Sequence, residues 1–118
     1  MTNPFQDQAR FMQSCEQTVH ETNPVQFSLY KKLIEEEVTE LKEARSQVDE
    51  LDALIDILVV TIGAIHSMAA DAEGAWNEVM RTNFAKIDPE TGKVRKREDG
   101  KVLKPEGWQP PELEKYLK

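Results

Sequence analysis

Very little in this chain could cross-link it or carry it through a bilayer. Cys15 is its one cysteine, which excludes an intramolecular disulfide and gives no sign of an oxidising compartment. The longest apolar run, Ile57 to Val60, is far too short to span a membrane. The opening residues Met-Thr-Asn-Pro-Phe-Gln-Asp-Gln have neither the basic nor the apolar region of a signal peptide, so a cytoplasmic protein without a membrane partner is expected. Cations are outnumbered, with 15 Lys and Arg against 22 Asp and Glu. A net charge of −7 excludes a general binder of nucleic-acid polymers, which needs a basic face to displace counterions. No internal repeat or low-complexity tract breaks the 118 residues, a length that supports one core and one domain, 1–118.

The charge that is present is unevenly placed. Residues 1–85 carry 6 basic and 15 acidic side chains, whereas residues 86–118 carry 9 and 7. An acidic body with a basic tail suits a site that holds cations in one place and meets an anion from another; a solvated surface with a charged tail is the plainer alternative. Four helical segments are predicted before that tail. The first opens at Asn3-Pro4, an N-cap followed by proline at the first helical position, and its apolar stripe of Phe5, Met12, Cys15 and Val19 runs to about Glu21. Cys15 is expected there as a small buried hydrophobe. The second starts at Asn23-Pro24 and the third is capped by Asp49. The third, with Leu51, Leu54, Ile55, Leu58, Val59, Ile62 and Ile65, is apolar round much of its circumference and is expected to be the most buried. A fourth runs from about Asp71 to Ile87. These give an N-terminal helix over 1–22, helices that carry the chemistry over 24–87, and a basic arm over 88–118. In the arm Asp99-Gly100 predicts a type I′ β-hairpin or an ordered extended segment. The fold class is all-α, of four-helix-bundle type.

One residue of the second helix is out of place. Its core stripe counts 27, 30, 34, 37, 41, 44, and position 37 is Glu. A carboxylate in a core slot loses hydration that the interior returns only through a partner, a proton or a metal. Glu40 lies one turn on and Glu36 flanks the pair. The third helix supplies Asp52 and Asp56, four residues apart on one side, and two helices joined by a short loop bring such groups face to face. Convergent carboxylates of this kind select Mg²⁺ or Mn²⁺. The alternative is a buried ion network in which Lys31, Lys32 or Arg81 pairs with Glu37 and Asp56. Glu35, Glu43 and Glu50 read as solvated surface charges. His66, about 15 Å along the helix from Asp56, is too far to be a ligand. In the fourth helix Asn83 stands in the apolar stripe with Lys86 a turn away. They could orient a base or sugar and hold a phosphate, or be a satisfied core amide and a lysine at a helix C-terminus.

At these residues the chain resembles a known family. Leu33-Ile34-Glu35-Glu36-Glu37-Val38-Thr39-Glu40-Leu41 is similar to the EExxE helix of the MazG-like all-α nucleoside triphosphate pyrophosphohydrolases, and Asp52-Ala53-Leu54-Ile55-Asp56 is similar to the helix that follows it. Short members, including many from phages and mobile elements, resemble the chain through Asn83-Phe84-Ala85-Lys86 and Glu98–Lys104 as well. The likeness covers roughly 25–112. The second motif departs from ExxD, because Ala53 stands where an acid belongs and Asp52 is one residue earlier; Asp49 with Asp52 is an alternative register. The resemblance implies an enzyme that cuts a nucleoside triphosphate between its α and β phosphates, and a dimer or tetramer. Glu37, Glu40 and Asp56, with Asp52, would ligate Mg²⁺, and Glu36 or Asp52 would act on the attacking water. Lys86 would contact phosphate and Asn83 the nucleoside, Lys93 to Lys104, including Lys101, would close over the phosphates, and Trp76 or Trp108 would stack on a base. The alternatives are a relative acting on phosphoribosyl-ATP and a non-catalytic helical module that oligomerises around a metal.

Overall fold

Two helices start on the same dipeptide. Asn3 and Asn23 stand in extended backbone ahead of a proline, and their side chains accept the N–H groups of Gln6 at 2.9 Å and Gln26 at 3.0 Å. Each proline then takes the first helical position, where no N–H is needed. In the computed structural model, which describes residues 1–117, these helices are α1, Pro4–Ser14, and α2, Pro24–Glu43. They are followed by α3, Gln47–Ser67, and α4, Ala72–Phe84. The described residues contain no strand, so the chain is all-α. No single helix among them is long and apolar enough to cross a membrane.

The ends of the helices correct three expectations. α1 stops at Ser14 and not near Glu21. Gln17 N–H donates to the Met12 carbonyl at 2.9 Å and Glu16 N–H to the Gln13 carbonyl at 3.0 Å, with Glu16 at φ 59. This is the left-handed helix stop that glycine usually marks. Cys15 therefore caps the helix and is exposed, not buried in a stripe. α3 is capped by Ser46, whose Oγ accepts the Asp49 N–H at 3.1 Å; Asp49 sits instead in the first turn, where its charge complements the helix dipole. α4 is also shorter than expected: Lys86 and Ile87 close back onto Asn83 and Phe84 in a tighter turn.

The described residues divide into two compact units, Met1–Ala72 with Leu117, and Glu73–Tyr116. In the first, α2 and α3 form a helical hairpin and α1 packs against α3. Its core is Met12, Val19, Tyr30 and Ala64, with Phe27, Leu33, Ile34 and Val60 against them. The Tyr30 ring occupies the space a side chain at Gly63 would need, with Cε1 2.3 Å from the position of a Cβ. Gly63 thus lets α2 and α3 approach closely. Buried polar groups are paired across the unit. Gln26 Nε2 donates to Ser67 Oγ at 2.9 Å, and His66 Nε2 donates to the Phe5 carbonyl at 2.8 Å. His66 is thus a structural tie for α1. α3 is not buried along its whole length: Leu51, Leu54, Ile55 and Leu58 are 47–61% exposed, because α1 and α2 cover only its other side.

The second unit is α4 and the arm. Trp108 Nε1 donates to the Thr82 carbonyl at 2.7 Å, and the Glu112 N–H donates to Glu78 Oε2 at 2.8 Å, so the arm is fastened to α4 at two points. The expected type I′ hairpin does not form. The extended pieces meet only in isolated bridges, Ile87 with Val94 and Lys96 with Val102. Gly100, at φ 87, follows a turn closed by its N–H on the Arg97 carbonyl at 2.9 Å, which makes a loop one residue longer than type I′ requires. Asp99 has no left-handed backbone; its carboxylate is held by Arg97 and the Lys101 N–H.

Candidate metal centre

The six-residue stripe of α2 keeps its phase in three dimensions. Phe27, Tyr30, Ile34, Glu37, Leu41 and Ala44 are all buried or half-buried, while Glu35, Glu36, Thr39 and Glu40 are exposed. Glu37 therefore does occupy a core slot. Its Oε2 is buried and has no hydrogen-bond partner among the described residues, an arrangement that costs free energy unless something absent supplies the contact. The cations considered as partners are engaged or solvated. Lys31 Nζ lies 4.9 Å from the centre of the Phe27 ring, Arg81 is held by both oxygens of Glu78, and Lys32 is exposed.

Two other carboxylates turn toward Glu37. Glu40 is one turn on along α2, and Asp56 comes from α3 across the hairpin. One oxygen from each of Glu37, Glu40 and Asp56 lies within 4.8 Å of the others. Lost hydration pushes the Glu37 carboxyl above its ordinary range, and Glu40, Asp56 and Asp52 push it the same way. Three convergent carboxylates, one of which keeps a buried oxygen with no hydrogen-bond partner among the described residues, fit a hard divalent ion such as Mg²⁺.

The remaining acids are arranged around this trio. Asp52 is exposed and is not one of the three convergent oxygens, although its charge reaches Glu37. It lines an acidic cleft with Glu40, Glu43, Asp49 and Ala53. Ala53, at the position where the resembled motif carries an acid, is only 3% exposed. Glu36 is exposed beside Glu37 and outside the trio. Sequence reasoning overlooked Glu43 as part of the cleft; the three-residue spacings of Glu40 with Glu43 and Asp49 with Asp52 were the available signal.

The second unit holds the other expected site residues. Lys86 Nζ donates to Asn83 Oδ1 at 3.0 Å, and both are half-buried. Lys86, Arg95, Asp88 and Glu90 line a pocket of about 460 Å³, to which Trp76, Lys93 and Lys101 do not contribute. Trp76 is 58% exposed on α4, and Lys93 and Lys101 are exposed in the arm. Glu78, by contrast with Glu37, is fully satisfied: the Arg81 guanidinium and the Glu112 N–H hold its carboxyl down to about 2.

A family model described as phosphoribosyl-ATP pyrophosphohydrolase matches residues 6–83. The match takes in Glu37, Glu40 and Asp56, and it ends before Lys86 and the arm. No curated protein matches the chain significantly.

Proposed function

The chain belongs to the phosphoribosyl-ATP pyrophosphohydrolase family, one of the MazG-like all-α nucleoside triphosphate pyrophosphohydrolases, and from that premise we propose that it hydrolyses ribo- or deoxyribonucleoside triphosphates to the monophosphate and pyrophosphate. Members of the family are hydrolases of acid anhydrides. The observation that carries the reading is the orphaned Glu37 Oε2 inside a trio of carboxylates. Such an enzyme would act in the cytoplasm, clearing or limiting nucleotides. Residues 1–118 act in this reading as one functional domain.

Glu37, Glu40 and Asp56 would hold Mg²⁺, or Mn²⁺, with Asp52 beside them. When bound, the metal neutralises the triphosphate and favours departure of the pyrophosphate. Glu36, exposed next to Glu37, is free to accept the proton of the attacking water, and Asp52 in the acidic cleft is the alternative base. The bond between the α and β phosphates breaks, and its electron pair leaves with the pyrophosphate. Lys86 donates to a phosphate oxygen and Asn83, already bonded to Lys86, orients the nucleoside. Lys93 and Lys101 add exposed cations, and the exposed Trp76 ring offers a face for a base. The uncovered apolar stripe Leu51, Leu54, Ile55 and Leu58 supports a homodimer or homotetramer in which a second copy covers it.

The family match favours a second reading, with phosphoribosyl-ATP as substrate. That molecule carries the same triphosphate, so the acidic trio would serve it equally. The test is a panel of canonical and modified triphosphates and phosphoribosyl-ATP with Mg²⁺, measuring pyrophosphate and orthophosphate separately. Pyrophosphate release, lost in Glu37→Gln, is expected, and the best substrate decides between the two readings. Orthophosphate release would contradict α–β cleavage. No turnover of any substrate would leave a non-catalytic metal-dependent oligomerisation module.

A further inference from the structure

The last carbonyls of a helix have no helical N–H to accept, and one of those in α4 is satisfied from far along the chain. In a continuing helix the Thr82 carbonyl would accept the N–H of Lys86. It accepts Trp108 Nε1 at 2.7 Å, from 26 residues on. The Lys86 N–H donates to the Asn83 carbonyl at 3.1 Å, and the Ile87 N–H to that of Phe84 at 3.0 Å. Just before this point the spacing is still α-helical, with the Ala85 N–H on the Arg81 carbonyl at 3.0 Å. The change from helix to tighter turn thus falls on the carbonyl that the indole occupies.

The tighter turn changes the phase of the side chains it carries. Three residues turn through about 300° in an α-helix and about 360° in a turn closed three residues back. Residues 83 and 86 are therefore brought one above the other. Lys86 Nζ donates to Asn83 Oδ1 at 3.0 Å and lies 5.1 Å from the centre of the Trp108 ring, and all three residues are half-buried. Trp108 meets the pair twice: its nitrogen takes the carbonyl that would otherwise continue the helix, and its ring lies against the ammonium. We propose that Trp108 is a positioning residue for the nucleotide, ordering Lys86 and Asn83 before the substrate arrives. This rests on the substrate contacts given to Asn83 and Lys86 above, and it adds a residue of the arm, outside the matched residues 6–83. The plainer alternative is that Trp108 only fastens the arm. The second fastening, the Glu112 N–H on Glu78 at 2.8 Å, separates the two.

Trp108→Phe keeps a ring and loses the donor. With Mg²⁺ and the best substrate of the panel above, it should raise KM about fivefold or more and leave kcat within about twofold. In a Lys86→Ala background the same change should add less than about twofold, because residues that act through one another are not additive. Glu78→Gln, which loosens only the other fastening, should leave KM within about threefold. Effects that multiply in the double variant, or an equal rise in Glu78→Gln, would reduce Trp108 to an anchor and overturn the role. Two measurements by nuclear magnetic resonance need no turnover. In the native protein the Trp108 Nε1–H should exchange about tenfold or more slower than a solvated indole. In protein free of metal and nucleotide, the Asn83 side-chain amide should shift in Trp108→Phe as it does in Lys86→Ala, and stay in place in Glu78→Gln. An unprotected indole or an unmoved Asn83 amide would overturn the role as well. A protein that hydrolyses nothing loses the proposed reaction, and these two measurements then decide whether Trp108 orders the pair.

Discussion

Glu37 and Glu78 are both glutamates on helices, withdrawn from water, and they meet opposite conditions. Glu78 receives two hydrogen bonds from Arg81 and one from the Glu112 N–H, and its carboxyl is held down to about 2. Glu37 faces Glu40 and Asp56, keeps an oxygen with no partner, and its carboxyl is pushed up. The same side chain is finished in one unit and unfinished in the other. A satisfied buried charge is structural; an unsatisfied one among like charges marks where a cation belongs.

The comparison breaks most sharply by substitution. Glu37→Gln should lower pyrophosphate release by on the order of 10³-fold or more, since it removes an oxygen from the trio. Glu78→Gln should leave turnover within about threefold, because its partners are Arg81 of α4 and the Glu112 N–H of the arm, and transition-state losses come from groups near the reacting atoms. Steady-state assays of the two variants side by side check this; equal losses would make the distinction between the two glutamates wrong.

Gly63→Ala tests whether the trio depends on the close approach of α2 and α3. A Cβ there collides with the Tyr30 ring, and overpacking of this kind costs about 1–3 kcal/mol. Thermal unfolding should show that loss, and metal affinity should fall with it as Asp56 moves away from Glu37 and Glu40. Stability lost with metal affinity unchanged would show that the trio tolerates the displacement.

Asp52→Asn is a finer probe. Asp52 lies outside the convergent oxygens but adds to the repulsion on Glu37. Its loss should reduce turnover by about tenfold or less, near 1.4 kcal/mol of barrier. A loss as large as that of Glu37→Gln would make Asp52 a ligand or the base.

The smallest effect expected is that of acid on the arm. The Glu78 carboxyl is depressed from 4.5 to about 2, so the stability it contributes is present above 4.5 and is lost as pH falls from there toward 2. Protection of the Glu112 N–H from hydrogen exchange, measured against the intrinsic rate at each pH, should therefore fall through that window. In Glu78→Gln that protection should be low and unchanged across the same range.

Much of the first unit was legible in the sequence because its signals are local. Asn3-Pro4 and Asn23-Pro24 announce their helices by capping chemistry, and counting the α2 stripe was enough to mark Glu37. The end of α1 was hidden because Glu16, not glycine, takes the left-handed position, and Ala69 hides the end of α3 in the same way. Ser46, and not the expected Asp49, caps α3, because its hydroxyl reaches the Asp49 N–H from just outside the helix. The pairing of Glu78 with Glu112, 34 residues away, and the seat of Trp108 on Thr82 are tertiary contacts that no local pattern encodes. The Asp99-Gly100 signal placed a turn correctly but not its type, because the Asp99 carboxylate is drawn to Arg97 and Lys101.

If Glu37 is unfinished for want of a cation, thermal unfolding in EDTA and in saturating Mg²⁺ will separate the native protein from Glu37→Gln. At about 100 times the dissociation constant a bound ion adds about 2.7 kcal/mol, which for a chain of this size raises Tm by roughly 10 °C. The native protein should show that rise. Glu37→Gln should show none, and in EDTA it should be at least as stable as the native protein, because a repelled charge has been removed. A native protein indifferent to Mg²⁺, or a variant stabilised as much as the native protein, would contradict the account.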